Sequence, residues 1–438
     1  MRARARIIAA GVAALSCAPP PDVADPEAEP GLDADAGSPP DGSSADANTP
    51  PGTSWDVLVR SRTSAAEPDV AVGPDGESYV AWIHDGIEAA VVGADGTILA
   101  EPDRVQAPLG LNWLFDPTLC VTPDGVALLA ASCVDYDADS ERDGHICVAR
   151  SAGGGPFDAF EIVDPELPPV TGGRFYDRPW IACGPDGTVA LVWSRVEHEV
   201  KVKWEADGKA WLRRMSELTV SDDGESWRTP VTIANWASLA NLAVASRSRI
   251  FVTMGRALYL VDASVWPPQW GPALAPVYMD RPSIALSGDV IYAQDWYGDY
   301  TVSVDGGLRF SSQAGLGVLG DGPNVALADV ASGADGSFRV AWFQGWWTGV
   351  RWPSWRVHLA TWNVQAGWSP TIAWPEEPMM GTTEDEDVDR GRWLGHYIGV
   401  AVGPEGDARV VWPDARDGPV AIRLSRYGTP EREAEAGP

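Results

Sequence analysis

Two Asp-Arg-Pro phrases stand out as chemistry in this chain: Asp177-Arg178-Pro179 and Asp280-Arg281-Pro282. A guanidinium beside an apolar strand is either neutralised by its neighbouring carboxylate or left to bind an anionic ligand, since an unpaired buried charge is costly. The loop Asp135-Tyr136-Asp137-Ala138-Asp139 alternates carboxylates as hard cations favour, so Asp135, Asp137 and Asp139 are candidate Ca2+ ligands. Against that, Ser140 stands where a helix-flanked calcium loop needs glycine. Trp346, Trp347, Trp352 and Trp355 cluster among Gly345, Gly349, Arg351 and Pro353. Their rings suit a sugar or a protein partner, or else pack a long loop onto the domain. Arg392, which follows an acidic run at residues 384–389, is a further ligand-binding candidate. No Gly-rich phosphate loop, zinc spacing or Ser/His/Asp phrase occurs, and five histidines offer little material for His-based metal hydrolysis.

These residues are set in a repeated phrase: an apolar strand, a Pro-Asp-Gly turn, and a second apolar strand ending near Trp. Val70–Gly76 runs into Tyr79–Trp82, Trp180–Gly187 into Ala190–Trp193, and Ile398–Gly406 into Val410–Trp412. Weaker copies begin at Thr118, Asn241, Ser283 and Asn324, giving seven. Over the 374 residues from Trp55 to Gly428 the unit averages about 53, the size of a four-stranded propeller blade with its loops. Short apolar runs broken by Asp-Gly are hairpin signals, because glycine supplies the positive φ of a tight turn. The fold class is therefore all-β, a β-propeller of four-stranded blades. Seven blades are favoured and six remain open, because the copy at Asn241–Thr253 is degraded. Trp82, Trp193, Trp342 and Trp412 recur at one place in the repeat and belong between blades. Trp55–Arg60 is expected to close the ring as the outer strand of the last blade.

The ends carry another message. Residues 1–17 combine Arg2, Arg4 and Arg6 with a short apolar stretch and Ala14-Leu15-Ser16-Cys17. This resembles a bacterial lipoprotein signal, which implies lipid on Cys17, with ordinary secretory cleavage as the alternative. Residues 18–54, rich in Pro, Asp, Ala, Gly and Ser without an aromatic, read as a disordered tether, residues 55–430 as the propeller, and residues 431–438 as a loose tail. An exported protein at a bacterial outer membrane or cell surface is expected, a monomer touching membrane only through its lipid. Export permits disulfides: Cys133 and Cys147 flank one loop and are the expected pair, while Cys120 and Cys183 are either a second pair or two buried thiols. A formal net charge of −30 argues against nucleic acid and anionic lipid as partners.

Two segments carry a family resemblance. Ser303-Val304-Asp305-Gly306-Gly307-Leu308-Arg309-Phe310 resembles the Asp box, or bacterial neuraminidase repeat, at Ser303, Asp305, Gly307 and Phe310. Val220–Trp227 is similar at Asp222, Gly224 and Trp227, with Val220 where Ser is expected. The Asp-Arg-Pro phrases and Gly395-His396-Tyr397-Ile398-Gly399 look like those of sialidase-like propellers of exported bacterial proteins. The resemblance implies an aspartate capping the turns between outer strands, and it speaks for the fold more than for an activity. A working sialidase uses an arginine triad, a Tyr activated by Glu and an Asp acid/base. Arg178 and Arg281 would stand for the arginines, Tyr397 for the nucleophile, and Asp177 or Asp280 for the acid. The first arginine's Arg-Ile-Pro phrase is missing. The leading expectation is thus a surface propeller binding a glycan or protein at the channel mouth through Arg178, Arg281, Tyr397 and the Trp-rich insertion. The alternative is a glycoside hydrolase, including an exo-alpha-sialidase. On the binding view, Arg178→Ala would weaken ligand binding and leave thermal stability nearly unchanged.

Overall fold

A computed structural model describes residues 53–60, 65–135, 144–163, 174–197, 213–235, 240–254, 257–276, 282–319, 324–346, 354–380, 394–416 and 420–428. Cys17, the tether and the tail at 431–438 lie outside them. Seven antiparallel sheets follow one another along the chain. Each begins with the hairpin written by the repeated phrase, for example Ala66–Val72 with Ser78–Ile83 in blade 1 and Arg174–Cys183 with Val189–Glu197 in blade 3. The degraded copy also forms its hairpin, Asn241–Ser246 with Arg249–Met254, in blade 4. In blade 6 the outer strand is split, Gly367–Trp368 and Ile372–Met380 both pairing with Ser354–Asn363.

The inner strands contact one another in succession, and the last, Gly399–Val402, meets the first, Ala66–Val72, so the sheets close into a ring. Each of the seven junctions between blades holds its own apolar cluster. Trp82, Trp193, Trp342 and Trp412 are fully buried in four of them. The indoles find acceptors inside: Trp82 and Trp193 donate to Glu88 and Glu217 at 3.1 and 3.0 Å. A buried indole N–H left without one would cost about 1–3 kcal/mol.

Closure uses the chain's first strand, Thr53–Arg60, as the outer strand of blade 7. Asp56 accepts from Arg423 and Ser425, both at 2.9 Å, while Arg60 reaches Glu88 of blade 1 at 3.1 Å. Trp55 lies 4.6 Å from the buried guanidinium of Arg409, which pairs with Asp407 and donates to the Gly76 carbonyl of blade 1. Deleting residues 53–60 would bare the edge of Ala421–Tyr427, a template for pairing with other chains. The truncated chain is expected to elute as aggregates and to lose its cooperative melt; an unchanged elution volume and melt would show that the strand is dispensable.

Cys120 and Cys183 join the inner strands of blades 2 and 3, and Cys133 and Cys147 join neighbouring strands of blade 2.

Candidate site at the channel mouth

Five non-glycine residues among those described have left-handed φ: Glu67, Asp85, Asp116, Arg178 and Leu327. Four occupy one place. Glu67, Asp116, Arg178 and Leu327 each sit at a break in pairing near the start of an inner strand, in blades 1, 2, 3 and 6. Three precede a proline, which disfavours helical geometry in the residue before it. A side chain held in this conformation costs on the order of 1–3 kcal/mol, and such strain gathers at functional sites. Here it turns two acids and an arginine from different blades toward the end of the central channel.

The groups meet there. The Arg178 backbone N–H donates to Asp116 at 3.1 Å, its guanidinium lies 5.9 Å from the Tyr397 ring centre, and one of its nitrogens is 3.5 Å from His396 Nδ1. His396 Nδ1 is 2.8 Å from Glu67. This contact needs Gly395, whose φ is +81° and whose place leaves no room for a Cβ beside the Glu67 backbone. Trp296 meets the His396 ring edge-on at 5.3 Å. Arg178, Trp180, Trp296, Asp329, His396 and Tyr397 line a cavity of about 60 Å³.

Electrostatics sort these groups. Burial opposes the charge on Arg178, but the acids Asp177, Asp116 and Glu67 outweigh it and hold the guanidinium more firmly protonated than usual. Burial raises the Asp116 carboxyl well above the ordinary range; Glu67 and Asp177 add to that and Arg178 counters it. Burial likewise pushes the Tyr397 phenol far up despite Arg178. That phenol stays protonated at rest, so as a nucleophile it would need an adjacent base to take its proton. Arg178 thus lies in the field of Asp177 on its own strand and of Asp116 and Glu67 on the inner strands of blades 2 and 1, so Arg178→Ala is expected to cost stability rather than spare it.

Two more carboxyls on the inner strands tie blades together. Asp69 accepts from the Val70 and Leu119 amides at 2.8 and 2.7 Å. Asp329 accepts from Ser283 at 2.6 Å and the Val400 amide at 3.0 Å. Burial, with Asp329 nearby, raises Asp69 to about 7, and burial raises Asp329 to about 6.

Of the remaining candidates, Asp280, Arg281, Asp137, Asp139, Trp347 and Arg392 lie outside the described residues, and the Trp346 side chain is not described. Pro282, next to Arg281, lines the same cavity as Arg178. Asp135 accepts from Asn112 at 3.2 Å, and among the described residues no group of three or more His, Cys, Asp or Glu is placed to hold a metal ion. Trp355 is buried in the core between blades 6 and 7 and packs against Phe343.

The outer turns give one correction. In blade 5, Ser303 donates to Asp305 and accepts from Gly307, while Asp305 caps the Arg309 amide, each at 2.9 Å. In blade 3 the same work falls to Ser221 and Asp223, not Asp222: Asp223 caps the amides of Glu225 and Ser226 at 2.8 and 2.7 Å. Asp222 instead pairs with Arg247 of blade 4. The turn is one residue shorter between Asp and Trp227, which shifts the serine from Val220's place to Ser221.

Sequence reasoning missed Glu67, Asp116, His396 and Trp296. A signal for the first two existed: Glu67-Pro68 and Asp116-Pro117 repeat the charged-residue-before-proline phrase of Arg178-Pro179 at the same point of the blade.

No protein-family model and no curated protein matches the sequence. Solved structures do resemble the fold. A protein of unknown function from Dyadobacter fermentans is 16% identical over 86% of this chain and 99% of its own, with a TM-score of 0.49. The NanB sialidase of Streptococcus pneumoniae is 9% identical over 86% of this chain and 99% of its own, at 0.44. The alpha-L-arabinanase of Penicillium chrysogenum, solved with arabinobiose, is 14% identical over 84% and 97%, at 0.45. At such identities and TM-scores, nothing of these proteins' activities carries over to this chain.

Proposed function

We propose that the channel mouth binds a glycan, and that the glycan is uncharged. The observation that carries this reading is the surrounding of Arg178 by Asp116, Asp177 and Glu67 on strained, converging strands. An arginine already compensated by acids offers little to a sugar carboxylate, whereas carboxylates, imidazole and guanidinium together suit hydroxyl groups, which both donate and accept. The formal charge of −30 also disfavours approach of an anionic ligand. A sialic-acid clamp is accordingly the weaker form of the earlier expectation. On a glycan array the full chain is expected to retain neutral glycans over their sialylated counterparts. Preferential retention of sialylated glycans, lost in Arg178→Lys, would overturn the reading.

One observation favours hydrolysis as a second reading. Burial, with Glu67 and Asp177 adding to it, raises the Asp116 carboxyl well above the ordinary range, and a raised acid beside further carboxyl groups is an arrangement that glycoside cleavage uses. A panel of neutral fluorogenic glycosides tests it: turnover that drops by at least about a hundredfold in Asp116→Asn supports an acid role of ordinary size. No turnover by the unaltered chain leaves a binding protein.

We further propose that Cys17 carries lipid, which would hold this site at a bacterial surface. Cys17→Ser should then move the protein from the membrane to the soluble fraction; unchanged fractionation would refute it.

A further inference from the structure

The cavity of about 60 Å³ is far below the roughly 300 Å³ at which small-molecule pockets begin. A sugar ring therefore cannot sink into it. If the mouth binds a glycan, as proposed above, the ring has to lie across the opening with a hydroxyl directed inward, and something at the rim has to hold its face.

The turn of blade 5 between Val290–Gln294 and Asp299–Ser303 offers that surface. Trp296 is half-buried and lines the cavity, whereas Tyr297 is 57% exposed, with its ring inclined only 19° to that of Trp296. The turn is held rigidly. Gly298 N–H donates to the Asp295 carbonyl at 3.0 Å, Asp299 N–H to the Asp295 side chain at 2.9 Å, and Asp295 N–H to the Asp299 carbonyl at 2.9 Å. The Trp296 carbonyl accepts from Ala328 at 3.4 Å, beside the strained Leu327 of blade 6. On its inner side Trp296 abuts His396, which contacts Glu67. Apolar rings thus run outward from the polar cluster without a break and end on Tyr297, which stacks on Trp296 and presents an exposed ring at the rim.

The geometry points to the Trp296–Tyr297 turn as a stacking subsite for the C–H face of a pyranose ring, setting specificity for cyclic sugars at the channel mouth. This rests on the glycan-binding reading and goes beyond it by naming the ring face as what is recognised. Flat, rigid aromatic side chains bind such faces with little loss of side-chain freedom, and the neighbouring acids and imidazole take the hydroxyls.

Saturation-transfer NMR on the full chain tests it with methyl β-D-galactopyranoside and methyl β-D-glucopyranoside, and with galactitol, which has the hydroxyls but no ring face. Expected is transfer to ring C–H protons of one face, about tenfold weaker binding in Tyr297→Ala, near-normal binding in Tyr297→Phe, and weak galactitol binding equal in all variants. Because Tyr297 is exposed, its loss should leave the melt unchanged, so weaker binding would not reflect unfolding. Pyranoside binding that Asp116→Asn weakens but Tyr297→Ala does not would overturn the stacking subsite and leave the glycan site standing. Absence of pyranoside binding to the unaltered chain, or binding indifferent to both variants, would overturn both.

Discussion

Arg178→Ala is expected to destabilise the propeller by about 1–3 kcal/mol, the size of cost expected when buried acids lose a nearby positive charge that holds no direct ion pair with them. Asp116 and Asp177 are each 5% exposed and Glu67 is 3% exposed, so the acids, not the partly exposed arginine, suffer its removal. The alanine also inherits the left-handed φ of 51° without the attraction of the surrounding acids that offsets it. Because the coupling runs through Asp116, Asp116→Asn combined with Arg178→Ala should cost less than the two single changes summed, a difference that a double-mutant cycle in urea measures. A stability equal to that of the unaltered chain would instead mark the guanidinium as free for an anionic ligand.

The second large effect is on pH. Asp69 and Asp329 are raised to about 7 and 6 by burial, from 3.8 in the unfolded chain. Between pH 4 and 7 the folded state therefore holds protons that the unfolded chain has released, and lowering the pH through that window favours folding. Asp69 would contribute on the order of 4 kcal/mol and Asp329 on the order of 3 kcal/mol, each across its own interval. Burial raises Asp56 and Asp116 as well, in the same direction. Carboxylates held low, such as Asp414, Asp335 and Asp305, oppose the trend only below about pH 4, where their stabilisation is lost. Unfolding free energy should thus be greater at pH 5 than at pH 8. Asp329→Asn, though less stable outright because its amide nitrogen cannot accept from Val400 or Ser283, should show a flatter dependence. Parallel curves for the two proteins would show that Asp329 is ionised across the range.

The fold was legible because its signals are local. An apolar strand, a Pro-Asp-Gly turn and a second strand fit within about a dozen residues, and even the eroded copy at Asn241 keeps the alternation that makes a hairpin. The closing strand was legible by arithmetic, since blade 7 has three strands at the C-terminal end and Trp55–Arg60 precedes blade 1 unpaired. The site is a different matter. Glu67 and His396 are more than 300 positions apart and meet only because the ring brings blade 7 against blade 1. Asp116 is one of 62 acidic residues, and what distinguishes it, a left-handed backbone turned into the channel, is a property of the assembled sheet. The Asp222 assignment failed for a smaller reason: a turn shortened by one residue keeps its aspartate and aromatic but moves both the serine and the capping acid.

The binding claim is tested most directly by the crystal structure of the full chain soaked with the neutral glycan it retains most strongly. The expected result is a sugar ring across the channel mouth, with at least one hydroxyl within hydrogen-bonding distance of Asp116, Asp177, Arg178 or His396. Glycan density confined to another face of the propeller, with the channel mouth unchanged, would contradict it.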